Sequence, residues 1–79
     1  MISLGKFYIP AERVIAVLPV EIALVRRIRE AASLEGKILD LTYGKKTRSV
    51  LLMDSGHVIL SSMSPKSVVM RVWGRDGST

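Results

Sequence analysis

Residues 37–61, KILDLTYGKKTRSVLLMDSGHVILS, decide the fold of this 79-residue chain. They contain three β-rich segments, at residues 37–43, 48–53 and 57–61, which are separated by a basic turn and by the turn Asp54-Ser55-Gly56. Short polar turns between such segments are typical of strands that pair with their neighbours in the chain. The stretch therefore predicts a three-stranded antiparallel meander.

Both faces of this predicted sheet are apolar. Residues 50–53 and residues 58–60 are uninterrupted apolar runs, so neither strand has the polar face of a half-solvated sheet. A single helix cannot cover both sides of such a sheet. We therefore expect the second face to be buried by the C-terminal segment, by another subunit, or by both, which favours a homo-oligomer.

The basic turn, TYGKKTR at residues 42–48, places three cations at the tip of a predicted β-hairpin. Gly44 can adopt a positive φ without a steric penalty, which suits a tight turn. Lys45, Lys46 and Arg48 on a short turn cannot collapse onto the core, so they face either solvent or a polyanion. A solvated turn that keeps the protein soluble explains the pattern equally well, and both interpretations stay open at this point.

Two further β segments are predicted before the meander. Residues 2–9 predict a short first strand with a bulge or bend at Gly5, and residues 13–18 predict a second strand. Arg13 begins the second strand, where its guanidinium could point toward whatever the Lys45 turn faces. The alternative is that Arg13 pairs with a neighbour such as Glu12.

A main helix is predicted to begin at about Val20, with Pro19 in its first turn, and to end at about Glu35, before Gly36. Its arginines lie on the non-core side, where a solvated surface is favoured over nucleic-acid recognition; they are Arg26, Arg27 and Arg29.

A short C-terminal helix is predicted from the Ser64-Pro65 start to Gly74, with Trp73 packing on its apolar stripe. Residues 75–79 read as a flexible tail. The chain is therefore predicted to be one α+β domain, residues 1–74, with a small and mostly antiparallel sheet.

The composition favours some classes of function and excludes others. Lys and Arg number 12 against 7 Asp and Glu, which gives a formal charge of +5 and favours a polyanionic partner. There is no cysteine, and His57 is the single histidine. Neither a metal-ligand cluster, nor a nucleophile with a partnered base, nor a phosphate-binding fingerprint occurs. We expect no enzyme activity, no cofactor, no metal and no small-molecule substrate, and, without a predicted membrane segment, a soluble cytoplasmic protein.

With these residues in view, the chain resembles the small bacterial RemA family, regulators of extracellular matrix (biofilm) genes, over about residues 8–73. The resemblance rests on five stretches at compatible spacing: Arg13-Val14-Ile15, Arg26-Arg27-Ile28, LDLTYGKKTR at residues 39–48, MDSGHVILSS at residues 53–62, and Pro65.

The resemblance implies a DNA-binding transcriptional regulator of the nucleoid that assembles into a closed ring, with basic residues of successive subunits contacting bent double-stranded DNA. By position, the DNA-contacting residues are Arg13, Lys45 and Lys46, with Arg48 beside them. Lys45 and Lys46 stand where the family has arginines, which keeps the charge but loses the planar guanidinium fork. The alternative function is an oligomeric interaction or scaffold protein with solvated basic turns, or an RNA-binding module.

Overall fold

A computed structural model describes residues 2–4 and 7–74 of the chain. The predicted bend at Gly5 and the predicted tail at residues 75–79 lie outside the described residues. The described part is an α+β fold, as predicted. Its strands and helices are β1 (Ile2–Leu4), β2 (Phe7–Ile9), β3 (Val14–Pro19), α1 (Ala23–Leu34), β4 (Ile38–Asp40), β5 (Ser49–Met53), β6 (Val58–Ser61) and α2 (Pro65–Trp73).

Four strands form the main sheet in the order β3-β5-β6-β4. The β3–β5 and β5–β6 pairs are antiparallel, and the β5–β6 hairpin closes through the turn at residues 54–56 as the sequence predicts. The β4–β6 pair is parallel, with Ile38 opposite Val58. The main sheet is thus mixed, with antiparallel pairs in the majority.

The predicted meander is wrong in one of its two pairings. β4 does not pair with β5; it lies at the far edge of the sheet beside β6. The reason is the preceding helix, because α1 carries the chain from β3 at one edge to a parallel strand at the other, as parallel strands require a long crossover. Residues 42–48 are therefore not a hairpin tip but a loop that passes the end of β6.

The N-terminal region differs from the single strand predicted for residues 2–9. β1 and β2 form a separate antiparallel pair in which Ile2 is opposite Ile9. A 3-10 turn at Ala11–Arg13 follows, so Arg13 precedes β3 instead of beginning it. Within β3 a register shift between Val14 and Ala16 leaves Ile15 in a bulge.

The main helix starts later than predicted. Pro19 is the last residue of β3, opposite Ser49, and α1 begins at Ala23 after Ile22. Proline is tolerated there because β3 is an edge strand, so the missing N–H leaves no ladder bond unmade. The helix ends at Leu34, one residue before the predicted end.

The C-terminal helix begins and ends at the residues that its capping pattern predicts. The Ser64 Oγ accepts a hydrogen bond of 3.3 Å from the Ser67 N–H, which caps the first turn, and Pro65 is the first helical residue. Gly74 ends the helix with a left-handed φ of 54°. Of the predicted apolar stripe, Val68 and Val72 are buried, whereas Trp73 is half-exposed.

Each face of the sheet has its own core. On the α1 face, α1 packs against Val50, Val58 and Leu60. On the opposite face, α2 and β2 pack against Leu51 and Ile59. The C-terminal segment thus buries residues of the second face, which is one of the predicted possibilities, so this burial does not argue by itself for a second subunit.

Candidate nucleic-acid interface

The predicted DNA-binding residues lie at two opposite ends of the sheet. Residues 42–48 lie where β4 ends and β5 begins, and we call this the loop end. Arg13 lies beside the β5–β6 turn at residues 54–56, where the Asp54 N–H donates 2.9 Å to the Arg13 carbonyl; we call this the turn end. The length of β5, about 13 Å, separates the two ends. Within one subunit, Arg13 and the Lys45 turn therefore lie at opposite ends of the sheet.

The loop is held at its start by Asp40. One carboxylate oxygen, Oδ1, accepts hydrogen bonds from the backbone N–H of Thr42 at 2.9 Å and from its hydroxyl at 2.6 Å. The Thr42 hydroxyl, then its N–H, lowers the pKa of the Asp40 carboxyl below its usual range, and the nearby charge of Arg29 acts in the same direction. The ionised carboxylate is thus the form that holds Thr42.

A tight turn follows directly. The Lys45 N–H donates to the Thr42 carbonyl at 3.0 Å, and the two residues between them have positive φ, 55° at Tyr43 and 83° at Gly44. Two successive positive φ values are characteristic of a type I′ turn. The glycine was predicted to accept such a conformation, but a tyrosine adopts it at a cost.

Both ends of the loop are also tied to the end of β6. The Leu41 N–H donates to the Leu60 carbonyl at 2.9 Å, and the Arg48 N–H donates to the Ser61 carbonyl at 2.8 Å. The cations therefore project from a backbone that is fixed at several points, and less conformational entropy is lost when they bind a ligand.

The cations of the loop end lack acidic partners in the part of the chain that the structure describes. Lys45, Lys46 and Arg48 are exposed. Among the residues that the structure describes, no carboxylate oxygen lies within 4.0 Å of their charged nitrogens. The loop end is therefore an uncompensated basic surface.

The cations of the turn end are paired. A guanidinium nitrogen of Arg13 lies 3.4 Å from an oxygen of Asp54, and the two side chains are 64% and 46% exposed. Lys37 Nζ lies 3.5 Å from Glu35 and donates to the Ser55 carbonyl at 3.3 Å. Arg13 thus pairs with Asp54, not with Glu12 as the alternative prediction had it.

The arginines of α1 belong to a surface of mixed charge. Arg26 and Arg29 line a groove along the helix together with Glu21 and Glu30. Opposite charges within one groove reduce its net potential. This surface is therefore less suited to a polyanion than the loop end.

The described residues contain no group of three or more His, Asp or Glu side chains placed to hold a metal ion. His57 Nδ1 lies 2.7 Å from the Ser55 hydroxyl oxygen, so the histidine takes part in the β5–β6 turn. Among the helices described, none is long and apolar enough to cross a membrane.

Two residues that shape the loop were not predicted from the sequence. Asp40 was not among the predicted site residues, yet it anchors Thr42. An aspartate two residues before a threonine is a common local hydrogen-bonding motif, and this spacing could have identified it. The positive φ of Tyr43 had no such indication, because tyrosine is not enriched in that conformation.

Comparison with known proteins agrees with the resemblance. The RemA-like family model, described as extracellular matrix regulatory protein A-like, matches residues 1–72. A Fervidobacterium nodosum protein is 48% identical over 63 residues, covering 80% of this chain and 68% of that protein. A Thermotoga petrophila protein is 43% identical over the same length and coverage. Both are named "Putative regulatory protein", a name that indicates a regulator rather than an enzyme. The chain therefore belongs to the RemA-like family.

Proposed function

We propose that this protein is a DNA-binding transcriptional regulator that acts as a homo-oligomer and contacts the phosphates of bent duplex DNA through repeated basic loops. The observation that supports this most strongly is the loop end, where Lys45, Lys46 and Arg48 are exposed on a fixed backbone without carboxylate partners among the described residues. Binding to chromosomal DNA would place the protein at the nucleoid.

The chemistry of these side chains favours phosphate contacts over base recognition. A lysine ammonium is a compact point charge, whereas reading a guanine edge bidentately suits the fork of arginine. Phosphate contacts carry no sequence information themselves. Target choice in this proposal comes from how easily a DNA site bends and from the spacing of such sites.

The separation of Arg13 from the loop end favours a head-to-tail assembly. Within one subunit the length of the sheet, about 13 Å, lies between the two. In a heterologous, head-to-tail interface the turn end of one subunit meets the loop end of the next, and a closed rotation generates a ring. The DNA surface would then join Arg13 of one subunit to Lys45 and Lys46 of its neighbour.

Exposed apolar side chains are available for such an interface. Ile15, in the bulge of edge strand β3, is 59% exposed, and Leu39, on edge strand β4, is 49% exposed. Further large apolar side chains are exposed elsewhere, including Tyr8, Leu24, Leu34, Met70 and Trp73. Such side chains mark sites of protein association where they form a contiguous patch.

Repetition of the loop would give strength to a weak contact. A single subunit offers few cations, but once one loop of a ring is bound, the next binds as an intramolecular event at high effective concentration. Affinity in this proposal therefore depends on assembly.

The proposal is tested by fluorescence anisotropy on a duplex of about 30 base pairs at several salt concentrations, together with light scattering. We expect affinity to fall steeply and linearly on logarithmic axes as salt increases, with a slope near 0.9 per phosphate contacted. Light scattering is expected to give a mass several times that of the chain. A flat salt dependence, or a monomer at micromolar concentration, would contradict the proposal.

The same exposed apolar side chains also suit the alternative, an oligomeric scaffold whose basic loops are solvated or bind an acidic protein. A stable oligomer without salt-dependent binding to duplex DNA would favour this alternative. Tighter binding to a single-stranded or duplex RNA of the same length would favour the RNA-binding module.

A further inference from the structure

The two lysine amines of the loop end are exposed and unpaired. Those of Lys45 and Lys46 make neither a hydrogen bond nor an ion pair with any residue that the structure describes. The backbone beneath them is fixed, since the Lys45 N–H donates to the Thr42 carbonyl at 3.0 Å. Both amines are therefore held at the surface, where a reagent in solution can reach them.

The other lysines that the structure describes lack this combination of properties. Lys37 Nζ lies 3.5 Å from Glu35 and donates to the Ser55 carbonyl at 3.3 Å, so loss of its proton would also weaken the ion pair. Lys66, on α2, is exposed, but no other cation stands within two residues of it along the chain. An unpaired amine with cations directly beside it is thus found, among the described lysines, only at the loop end.

Lysine differs from arginine in that its charge can be removed by a covalent modification. A lysine that has lost its proton is a nucleophile, and acylation of its nitrogen abolishes the charge. Lys45 and Lys46 supply two of the three cations of the loop end, and Arg48 supplies the third. Acylation of both lysines would therefore leave the loop end with one positive charge.

The charge of the loop end also favours one class of acyl donor. A donor that carries phosphate is an anion, and an uncompensated group of cations raises the local concentration of anions. Because Lys46 follows Lys45 directly and Arg48 is two residues further on, a neighbouring cation is available to bind the phosphate while one amine attacks. At Lys37, the carboxylate of Glu35 would repel the same donor.

We propose that Lys45 and Lys46 form an acylation site for acyl phosphates, and that their acylation weakens the hold of the loop end on DNA. The neutral Nζ attacks the acyl carbon and a C–N amide bond forms. The bond from the acyl carbon to the phosphate oxygen breaks, phosphate leaves with the electron pair, and the proton lost by nitrogen passes to water. The effect on DNA rests on the proposed function, whereas the reaction does not.

The first arm measures the reaction itself. The full chain is treated with acetyl phosphate, and mass spectrometry follows the rate of acetylation at each lysine. We expect Lys45 and Lys46 to react severalfold faster than Lys37 and Lys66, and added salt to reduce this difference because it screens the attraction of the anionic donor. Acetic anhydride, an uncharged donor, is the control, and with it the preference over Lys66 should be lost.

Equal rates at Lys45, Lys46 and Lys66 with acetyl phosphate would overturn the proposed site. The same would follow if acetyl phosphate and acetic anhydride gave the same ratio of rates, since the charge of the loop would then play no part in choosing the donor.

The second arm measures the effect on DNA binding, with each protein compared with itself before and after treatment with acetyl phosphate. Thermal unfolding checks that the treated proteins are still folded. The treated parent is expected to lose affinity for duplex DNA, with a salt slope lower by up to about two for each subunit that contacts the DNA. The Lys45→Arg/Lys46→Arg variant, whose guanidinium groups are not acetylated, should keep the affinity that it had before treatment. The matched control, Lys66→Arg, should respond as the parent does.

Equal losses of affinity in the parent and in Lys45→Arg/Lys46→Arg would mean that acetylation elsewhere is responsible, which overturns the effect on DNA. Unchanged affinity of a parent acetylated at Lys45 and Lys46 would overturn it as well. If the untreated parent does not bind DNA, the proposed function fails, and the comparison of rates alone decides whether the acylation site exists.

Discussion

Both ends of the sheet carry cations, but among the described residues only those of the turn end are paired with carboxylates. Arg13 lies 3.4 Å from Asp54, and Lys37 lies 3.5 Å from Glu35. At the loop end, Lys45 and its neighbours have no such partners among the described residues. For the attraction of a polyanion, the number of basic residues therefore matters less than whether their charge is compensated. A cation that is paired with a carboxylate produces a weaker positive potential around it.

The largest effect is expected from reversing the charge of the loop end. Lys45→Glu/Lys46→Glu should lower the affinity for duplex DNA on the order of 100-fold or more at physiological salt, since two attractive contacts per subunit become repulsive. Gel shifts or anisotropy measure this. The control is Arg26→Glu/Arg27→Glu on α1, which changes the net charge equally. Equal losses of affinity in the two double variants would mean that only net charge matters. The loop end would then have no special role in binding.

A matched pair of glycines separates the shape of the loop from its charge. Gly44 has a φ of 83° at the loop end, and Gly56 has a φ of 89° at the turn end. An added Cβ meets nothing closer than 3.6 Å at either position, so alanine costs backbone strain alone, about 1–2 kcal/mol in each case. We expect similar drops in thermal stability.

DNA affinity should distinguish the two glycine variants. Gly44→Ala is expected to reduce binding severalfold because it displaces Lys45 and Lys46, and Gly56→Ala is expected to reduce it less, because the turn end contributes fewer contacts to DNA. If both substitutions reduced binding alike, the geometry of the loop would not be special to recognition.

A smaller effect on DNA affinity is expected when the ion pair of Arg13 and Asp54 at the turn end is removed. Asp54→Asn frees the charge of Arg13 and should raise DNA affinity a few-fold, whereas Arg13→Ala should lower it by a similar factor. The unfolding free energy should change little in either variant, because an exposed ion pair contributes about 0 to 1 kcal/mol. Anisotropy at low salt gives the clearest contrast. Unchanged affinity in both variants would remove Arg13 from the DNA surface.

The smallest expected effect is the pH dependence that Asp40 contributes. Hydrogen bonds from Thr42 hold the pKa of Asp40 below its usual value, which is about 3.9 in the unfolded chain. A lowered pKa stabilises the folded state at pH values above that usual value, and this contribution is lost as pH falls through the lowered pKa.

We therefore expect Asp40→Asn to unfold at a lower temperature than the parent at pH 7, with the difference shrinking as pH falls below about 3.9. Thermal unfolding of both proteins between pH 7 and pH 2.5 measures this. A difference that is the same at every pH would show that the Asp40 charge does not hold the loop.

Features that depend on adjacent residues could be predicted from the sequence, whereas features that depend on residues far apart in the chain could not. The start of α2 at Ser64-Pro65 and its end at Gly74 were predicted correctly, because capping is decided by adjacent residues. The β5–β6 hairpin was predicted for the same reason, since its turn lies between the two strands. The late start of α1 was not predicted, because the role of Pro19 depends on β3 being at an edge.

The pairing of β4 and the relative position of the candidate site residues depend on residues that are far apart in the sequence. Nothing near Ile38 indicates that it pairs with Val58 in parallel, because the partner is chosen by the path of α1 across the sheet. The same crossover decides that residues 42–48 form a loop at the end of β6 and that Arg13 lies at the opposite end. The candidate site residues were predicted from the sequence, whereas their separation is known only from the structure.

The central claim is that the loop end, and not basic charge in general, contacts DNA. Acetylation of lysines in the assembled protein, followed by mass spectrometry with and without duplex DNA, tests this most directly, because each molecule contains its own control. We predict that DNA slows the modification of Lys45 and Lys46 more than that of Lys37, whose charge is paired with Glu35. Equal protection of all three lysines, or protection of Lys37 alone, would contradict the claim.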